Sequence, residues 1–212
     1  MASTPAVAAV LNDPRLHFDA DTHQYTLEGR ELISVTTALR EGGLMDTSHF
    51  SEAARLRGSY VHEAIALYVR GELEPGSLDP LIEPYFAAWH AFVTDTGIEI
   101  ERSEERICDP VYGYAGTLDA IARWPGLDKR VLIDWKSGLF PPMAGPQTAA
   151  YLRCARHWYP AGTRIGRAGL QLRDDGTYRF HVFTDLVQDE FDFLAALRVA
   201  QFRRRHQLGA HI

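Results

Sequence analysis

Short bursts of alternating apolar and polar residues open the readable part of the chain. His17-Phe18, Gln24–Leu27 and Glu31–Ile33 are predicted strands, joined at Asp19–Thr22 and Glu28-Gly29. Ser34 is placed to cap a short helix through Arg40, stopped by Gly42-Gly43. The rhythm then lengthens. Glu52–Val69 carries helical spacing behind Ser51 and ends at Gly71, with His62 on the face of Gly58, Ile65, Ala66 and Val69. Leu81–Asp95 is a second helix, rich in aromatics. Ile98–Glu101 and Arg106–Val111 return to a strand pattern, with imperfect alternation. Two further strand-like runs, Ala115–Arg123 and Arg130–Lys136, flank a turn of Pro125, Gly126 and Asp128. Pro146 is expected to open the helix QTAAYLRCARHWY. Arg167–Arg173 and Thr177–Phe183 form a hairpin about Asp174-Asp175-Gly176. A last helix, Gln188–Arg205, is expected to bury Phe191, Leu194, Leu197 and Phe202.

Composition narrows the class without naming it. At 212 residues, 46% hydrophobic and 24% charged, the chain suits one soluble domain with an embellishment. Residues 1–50 read as an arm, hairpin and short helix, and 51–212 as the compact core. The opening MASTPAVAAVLNDP lacks a basic n-region and reads as a terminal arm rather than a signal peptide. Cys108 and Cys154 have no paired spacing, which excludes a zinc site or a cysteine-bound cluster and fits a cytoplasmic setting. The net charge of −6 is unhelpful to a nucleic-acid binder, but its distribution is uneven. Residues 72–109 carry ten acids against two arginines; residues 153–179 carry six arginines against two acids. A basic track on an acidic molecule is one reading, scattered surface arginines the other.

Chemistry concentrates in GYAGTLDAIARWPGLDKRVLIDWKSG, residues 113–138. Residues two apart on a strand share a face, so Asp134 and Lys136 align while Val131, Ile133 and Trp135 point the other way. If the two runs pair, Asp119 joins them. Two carboxylates beside an ammonium suit a hard divalent cation and a developing negative charge. An Asp-x-Lys pair alone is more often an exposed ion contact of little energetic weight. Gln147 and Tyr151 lie on one helical face near a helix start that attracts anions, against the plainer reading of a polar helix start and a half-buried tyrosine. Arg55, Arg57 and Arg153 are candidates for phosphate contact.

Taken in order, RGSYVHEAI with His62, GTLDAIA with Asp119, VLIDWKSG with Asp134 and Lys136, and QTAAY with Gln147 and Tyr151 resemble the PD-(D/E)xK nuclease superfamily, in its RecB-like and phage-type exonuclease branch. FDADTHQYTLEGRELISVTTAL is similar to the entry segment of phage-borne members. The resemblance implies an α/β fold, an αβββαβ core with a mixed sheet flanked by helices. It implies one or two Mg²⁺ or Mn²⁺ ions held by His62, Asp119, Asp134 and the Trp135 carbonyl, with Lys136 positioning or activating water. Gln147 and Tyr151 would hold a DNA strand. The implied activity is metal-dependent DNA exonucleolysis in recombination, repair or phage genome processing. A structure-specific endonuclease and a non-catalytic DNA-end binder are the alternatives. The iron–sulphur cluster of some relatives needs four cysteines, twice the number present.

Overall fold

A computed structural model describes residues 14–46, 51–126 and 129–208. Its strands are β1 (Leu16–Asp19), β2 (Gln24–Leu27), β3 (Arg30–Ser34), β4 (Glu99–Asp109), β5 (Tyr114–Trp124), β6 (Lys129–Ser137), β7 (Ile165–Leu172) and β8 (Tyr178–Phe183). Its helices are α1 (Val35–Glu41), α2 (Glu52–Arg70), α3 (Glu83–Thr96), α4 (Ala144–Ala155) and α5 (Leu186–Arg205). One mixed sheet in the order β1-β2-β3-β5-β6-β7-β8, with β4 also on β5, is flanked by helices on both faces. From α2 onward the order is two helices, three strands, a helix, two strands and a helix, as expected from the sequence. The N-terminal hairpin continues that same sheet, through parallel pairing of Ile33 with Tyr114.

Each helix end has a local cause. The Ser34 and Ser51 hydroxyls accept from the amides of Thr37 and Ala54, and Gly71 closes α2 in the left-handed conformation. Side-chain alternation on β6 sends Ile133 and Trp135 into a core with α2 and α3, where Trp135 meets Trp89 edge to face at 6.3 Å. Leu132 enters the opposite core with α1, α4 and α5. Asp134 follows Leu132, so its carboxylate is fully buried on the α4 side.

Several expectations shift. β4 is one strand rather than two, because a register shift between Ile100 and Arg102 and a left-handed Glu104 (φ 53°) break its alternation without ending its pairing. α4 begins at Ala144, so Pro146 sits inside the first turn instead of opening it, and the Gln147 amide is already bonded to the Met143 carbonyl at 2.9 Å. A free helix-start amide at Gln147 is therefore not available to an anion. On α5 the buried face is Phe193, Ala196, Leu197 and Ala200; Phe191 and Phe202 are exposed. Asp128 of the expected turn lies outside the described residues.

Candidate active site

The site arises where the sheet comes apart. β5 pairs with β6 only over Ala120–Trp124, while the same edge of β5 pairs with β3 at Tyr114 and Ala115. Between those contacts, residues 116–119 are paired to neither strand, and the gap opens between α2 and α4. The Trp135 amide, which no longer has a β5 carbonyl to bond, donates to Asp119 Oδ2 at 2.6 Å. On the other edge, Glu104 sits opposite Asp119, between the pairs Ser103↔Ala120 and Glu105↔Leu118. Leu118 and Ile121, three residues apart, enter the same core, so the alternation of β5 slips at this level as well. Both strands are distorted where the carboxylates meet.

His62 reaches the gap from the inner face of α2. Its Nδ1 lies 3.4 Å from Asp119 Oδ1 and 3.7 Å from Glu104 Oε1, and its Nε2 lies 3.2 Å from the Trp135 carbonyl. One ligand atom each of His62, Glu104 and Asp119 falls within 4.8 Å of the others. On the adjoining wall Lys136 Nζ pairs with Asp134 Oδ2 at 2.7 Å. A cavity of about 200 Å³ lined by His62, Gly58, Lys136, Gln147 and Leu139 opens onto this cluster. A larger cavity of about 970 Å³ lies elsewhere, around Lys129, Arg156, Tyr159 and Arg164. None of the clustered residues lines it, whereas His62 and Lys136, which contact Asp119 and Asp134, line the small one, so the chemistry belongs there.

Burial and charge set the protonation states. Burial pushes Asp134 up to about 6, opposed by Lys136 and reinforced by Asp119. Burial raises Glu104 in the same way. For His62, burial alone would favour the neutral ring, but the Asp119 and Glu104 carboxylates outweigh it and hold the imidazolium up to about pH 10. Asp119 is pushed up by burial yet ends below its ordinary value, because the His62 and Lys136 charges and the Trp135 amide favour the carboxylate. Lys136 likewise stays an ammonium, burial being overcome by Asp134 and Asp119.

The donors fit a hard divalent cation. Carboxylate oxygens and one imidazole suit Mg²⁺ or Mn²⁺. Asp134 Oδ1 and Glu104 Oε1 are buried without a hydrogen-bond partner, so oxygen lone pairs already face the gap. The Asp119 and Glu104 carboxylates face His62 Nδ1 and the Trp135 carbonyl faces Nε2, so the imidazolium now balances them from both nitrogens. A bound cation would take over that charge.

Of the residues expected from sequence, the structure brings together His62, Asp119, Asp134, Lys136 and the Trp135 carbonyl. Gln147 and Tyr151 are buried beside them, with Gln147 Nε2 donating to the Tyr151 hydroxyl at 3.0 Å and Gln147 Oε1 left without a partner. Burial, with Asp134 and Asp119 nearby, holds Tyr151 well above its usual range, as a phenol. Arg55 is exposed on an adjoining polar cavity lined by Ser34, Thr36 and Ser59. Arg57 is turned inward, donating to the Ser137 carbonyl at 3.3 Å and stacking on Tyr85. Arg153 is not brought to the site. It is tied to Asp109 and Glu190 and lies over Tyr112. Gly58 faces Ser137 Oγ with room for a Cβ (3.7 Å), so close approach does not demand a glycine there.

Glu104 escaped the sequence reading. The broken alternation of β4 hid which way it points. The turn at Asp109–Gly113 held the missing signal, because counting back from the pair Asp109↔Tyr114 sets Glu104 opposite Asp119.

No family model matches the chain, and no curated protein matches it. Among solved structures, a candidate exonuclease from Eubacterium rectale is similar with a TM-score of 0.48 at 15% identity, covering 81% of this chain and 82% of that one. LHK-Exo in complex with dAMP gives a TM-score of 0.34, and the alkaline exonuclease LHK-Exo from Laribacter hongkongensis alone gives 0.32. Both are 15% identical, covering 83% of this chain and 93% of theirs. These likenesses concern the course of the backbone, and no residue is assigned from them.

Proposed function

We propose that this chain is a metal-dependent DNA exonuclease, hydrolysing phosphodiesters from a strand end with little sequence preference. The observation that carries the reading is the meeting of His62, Glu104, Asp119, Asp134 and Lys136 where β5 and β6 splay apart inside the sheet. His62, Glu104, Asp119, Asp134 and the Trp135 carbonyl would hold Mg²⁺ or Mn²⁺, without an iron–sulphur cluster. A cation held there stabilises charge on phosphoryl oxygens and lowers the pKa of bound water. Lys136, kept as an ammonium, offsets charge on the scissile phosphate and orients its oxygens, and does not act as the base. Gln147 presents its unpartnered Oε1 to the same space and orients a water or a sugar, while the Tyr151 hydroxyl fixes the amide. Arg55 contacts the backbone further along the strand. Such positioning catalysis reads phosphates rather than bases, which predicts weak sequence preference and steep salt dependence. We place the activity in the cytoplasm, in DNA recombination, repair or phage genome processing, with a protein partner that delivers DNA to an acidic enzyme.

The test is an end-labelled single-stranded oligonucleotide incubated in Mg²⁺, Mn²⁺ or EDTA, comparing wild type with Lys136→Ala. Metal-dependent release of terminal nucleotides by wild type alone supports the reading. Cleavage of circular single strands would turn it into an endonuclease. Binding without cleavage in either metal would make the chain an end-binding module.

A further inference from the structure

The six arginines between residues 153 and 179 divide in the fold. Arg153 is spent on Asp109 and Glu190, and Arg167 is buried against Asp189. Arg156 and Arg164 line the remote cavity. Arg173 and Arg179 remain, at the open edge of the sheet beside the site. Strand register fixes the relation: Lys136 pairs with Gln171, and Gln171 pairs with Arg179. Paired residues share a face, so Lys136, Gln171 and Arg179 form a row about 10 Å long from the catalytic ammonium to the edge strand. Asp134, Gly169 and His181 make the next row.

Across these rows lies a built platform. Phe140 stacks on His181 with ring centroids 3.9 Å apart and planes 5° off parallel. It fits only because residue 169 is glycine, where a Cβ would meet the ring at 2.3 Å. Gln171 Nε2 bonds the Gly138 carbonyl at 2.7 Å, and the Gly138 amide bonds the Leu172 carbonyl at 2.9 Å. The loop so fixed presents Leu139, 84% exposed, on the rim of the site cavity. Among the described residues, neither Arg173 nor Arg179 has a side-chain hydrogen bond or ion pair. Asp175 lies near Arg173, but its carboxylate is engaged by the Thr177 amide and hydroxyl. Their field is felt locally: burial first, then Arg179 and Arg173, lower the pKa of His181.

We propose that this face of β7 and β8 is the track for the DNA strand leading into the site, with Arg173 and Arg179 on consecutive phosphates and Leu139 against a base near the cut. The proposal rests on the nuclease reading above and extends it. A cationic row with an apolar contact beside it is what a flexible single strand requires.

The test measures binding of a fluorescent dodecamer in EDTA across a salt series, and metal-dependent cleavage of dodecamer against trinucleotide. Arg173→Ala and Arg179→Ala should each reduce the slope of log affinity against log salt by roughly 1, and Arg→Lys at either site should restore it. Leu139→Ala should weaken dodecamer binding severalfold without altering the slope. The loss should be larger on the dodecamer than on the trinucleotide. Melting curves confirm that each variant folds. If wild type cuts DNA and the arginine variants keep its slope, the track is overturned. Loss of solubility at an unchanged slope overturns it too, since it marks the arginines as guards of an exposed edge. A wild type that neither binds nor cuts DNA overturns the nuclease reading, and the track with it.

Discussion

Asp119 Oδ2 accepts the backbone amide of Trp135 at 2.6 Å, while Asp119 Oδ1 lies 3.4 Å from His62 Nδ1. One carboxylate thus terminates the β5–β6 ladder and supplies a candidate metal ligand. The two duties separate by substitution. Asp119→Asn keeps an oxygen for the amide and removes the charge; it should fold, melt below wild type but above Asp119→Leu, and lose roughly 10²–10³-fold in rate. Asp119→Leu also strands a buried amide, which costs about 1–3 kcal/mol. Denaturant melts beside rate measurements check this. Equal destabilisation by both variants would show that the charge, not the hydrogen bond, holds the strands.

Glu104 adopts φ 53°, a left-handed conformation that costs a residue with a Cβ about 1 kcal/mol. Its carboxylate also sits beside Asp119, which raises its pKa along with burial. Strain and like charge are both tolerated at a place where an oxygen is needed for the site. Glu104→Gly should therefore raise the unfolding midpoint in EDTA and weaken Mn²⁺ binding at least tenfold by calorimetry. A glycine variant that is less stable and binds Mn²⁺ normally would remove Glu104 from the site.

The legible part of this fold was what local chemistry writes. Ser34, Ser51 and Gly71 ended their helices as read, and Ile133 with Trp135 faced away from Asp134 as period 2 requires. Asp134 and Lys136 were legible because β6 keeps ordinary alternation; Asp119 lies where the alternation of β5 slips and its pairing with β6 stops, and the order of the motifs rather than the period marked it. Glu104 was not, since a left-handed residue in mid-strand has no local signature when it is not glycine. The α5 face failed for a similar reason. With apolar residues at 191, 193, 194 and 197, two helical faces compete, and contact with α1 and α4, not periodicity, selects Phe193 over Phe191. Arg153 and Arg179 are equally basic in sequence; only the neighbouring Asp109 and Glu190 separate a half-buried tie from a free cation.

Gly42 stands after α1 with φ −79°, a conformation open to any residue, and its glycine is needed for space. A Cβ there would lie 2.5 Å from the Ala196 Cα and carbonyl oxygen, both backbone atoms that cannot turn aside. Gly43, at φ 85°, supplies the left-handed turn instead. Gly42→Ala should force α1 from α5 and cost about 1–3 kcal/mol by denaturant titration. Metal binding should persist, since neither helix carries a ligand. An Ala variant as stable as wild type would mean that α5 shifts freely.

The metal-free protein should lose stability as pH rises. Folded His62 keeps its proton to about pH 10, against about 6.5 for an unperturbed imidazole. Between those values the folded state binds more protons than the unfolded one, so the contribution is complete below pH 6.5 and is lost through pH 10. Asp134, raised to about 6 from 3.8, acts with the same sign over that lower window, while Asp119, held below its ordinary value, adds stability that is lost only in stronger acid. Melting temperatures in EDTA should fall from pH 7 to 9.5, and His62→Gln should flatten that fall. Saturating Mg²⁺ should flatten it as well, by replacing the imidazolium charge with its own and leaving His62 neutral as a ligand. A wild-type curve in EDTA as flat as that of His62→Gln would mean that the carboxylates do not hold the His62 proton. The pairing of His62 with Asp119 and Glu104 would then carry no weight in preparing the site for a cation.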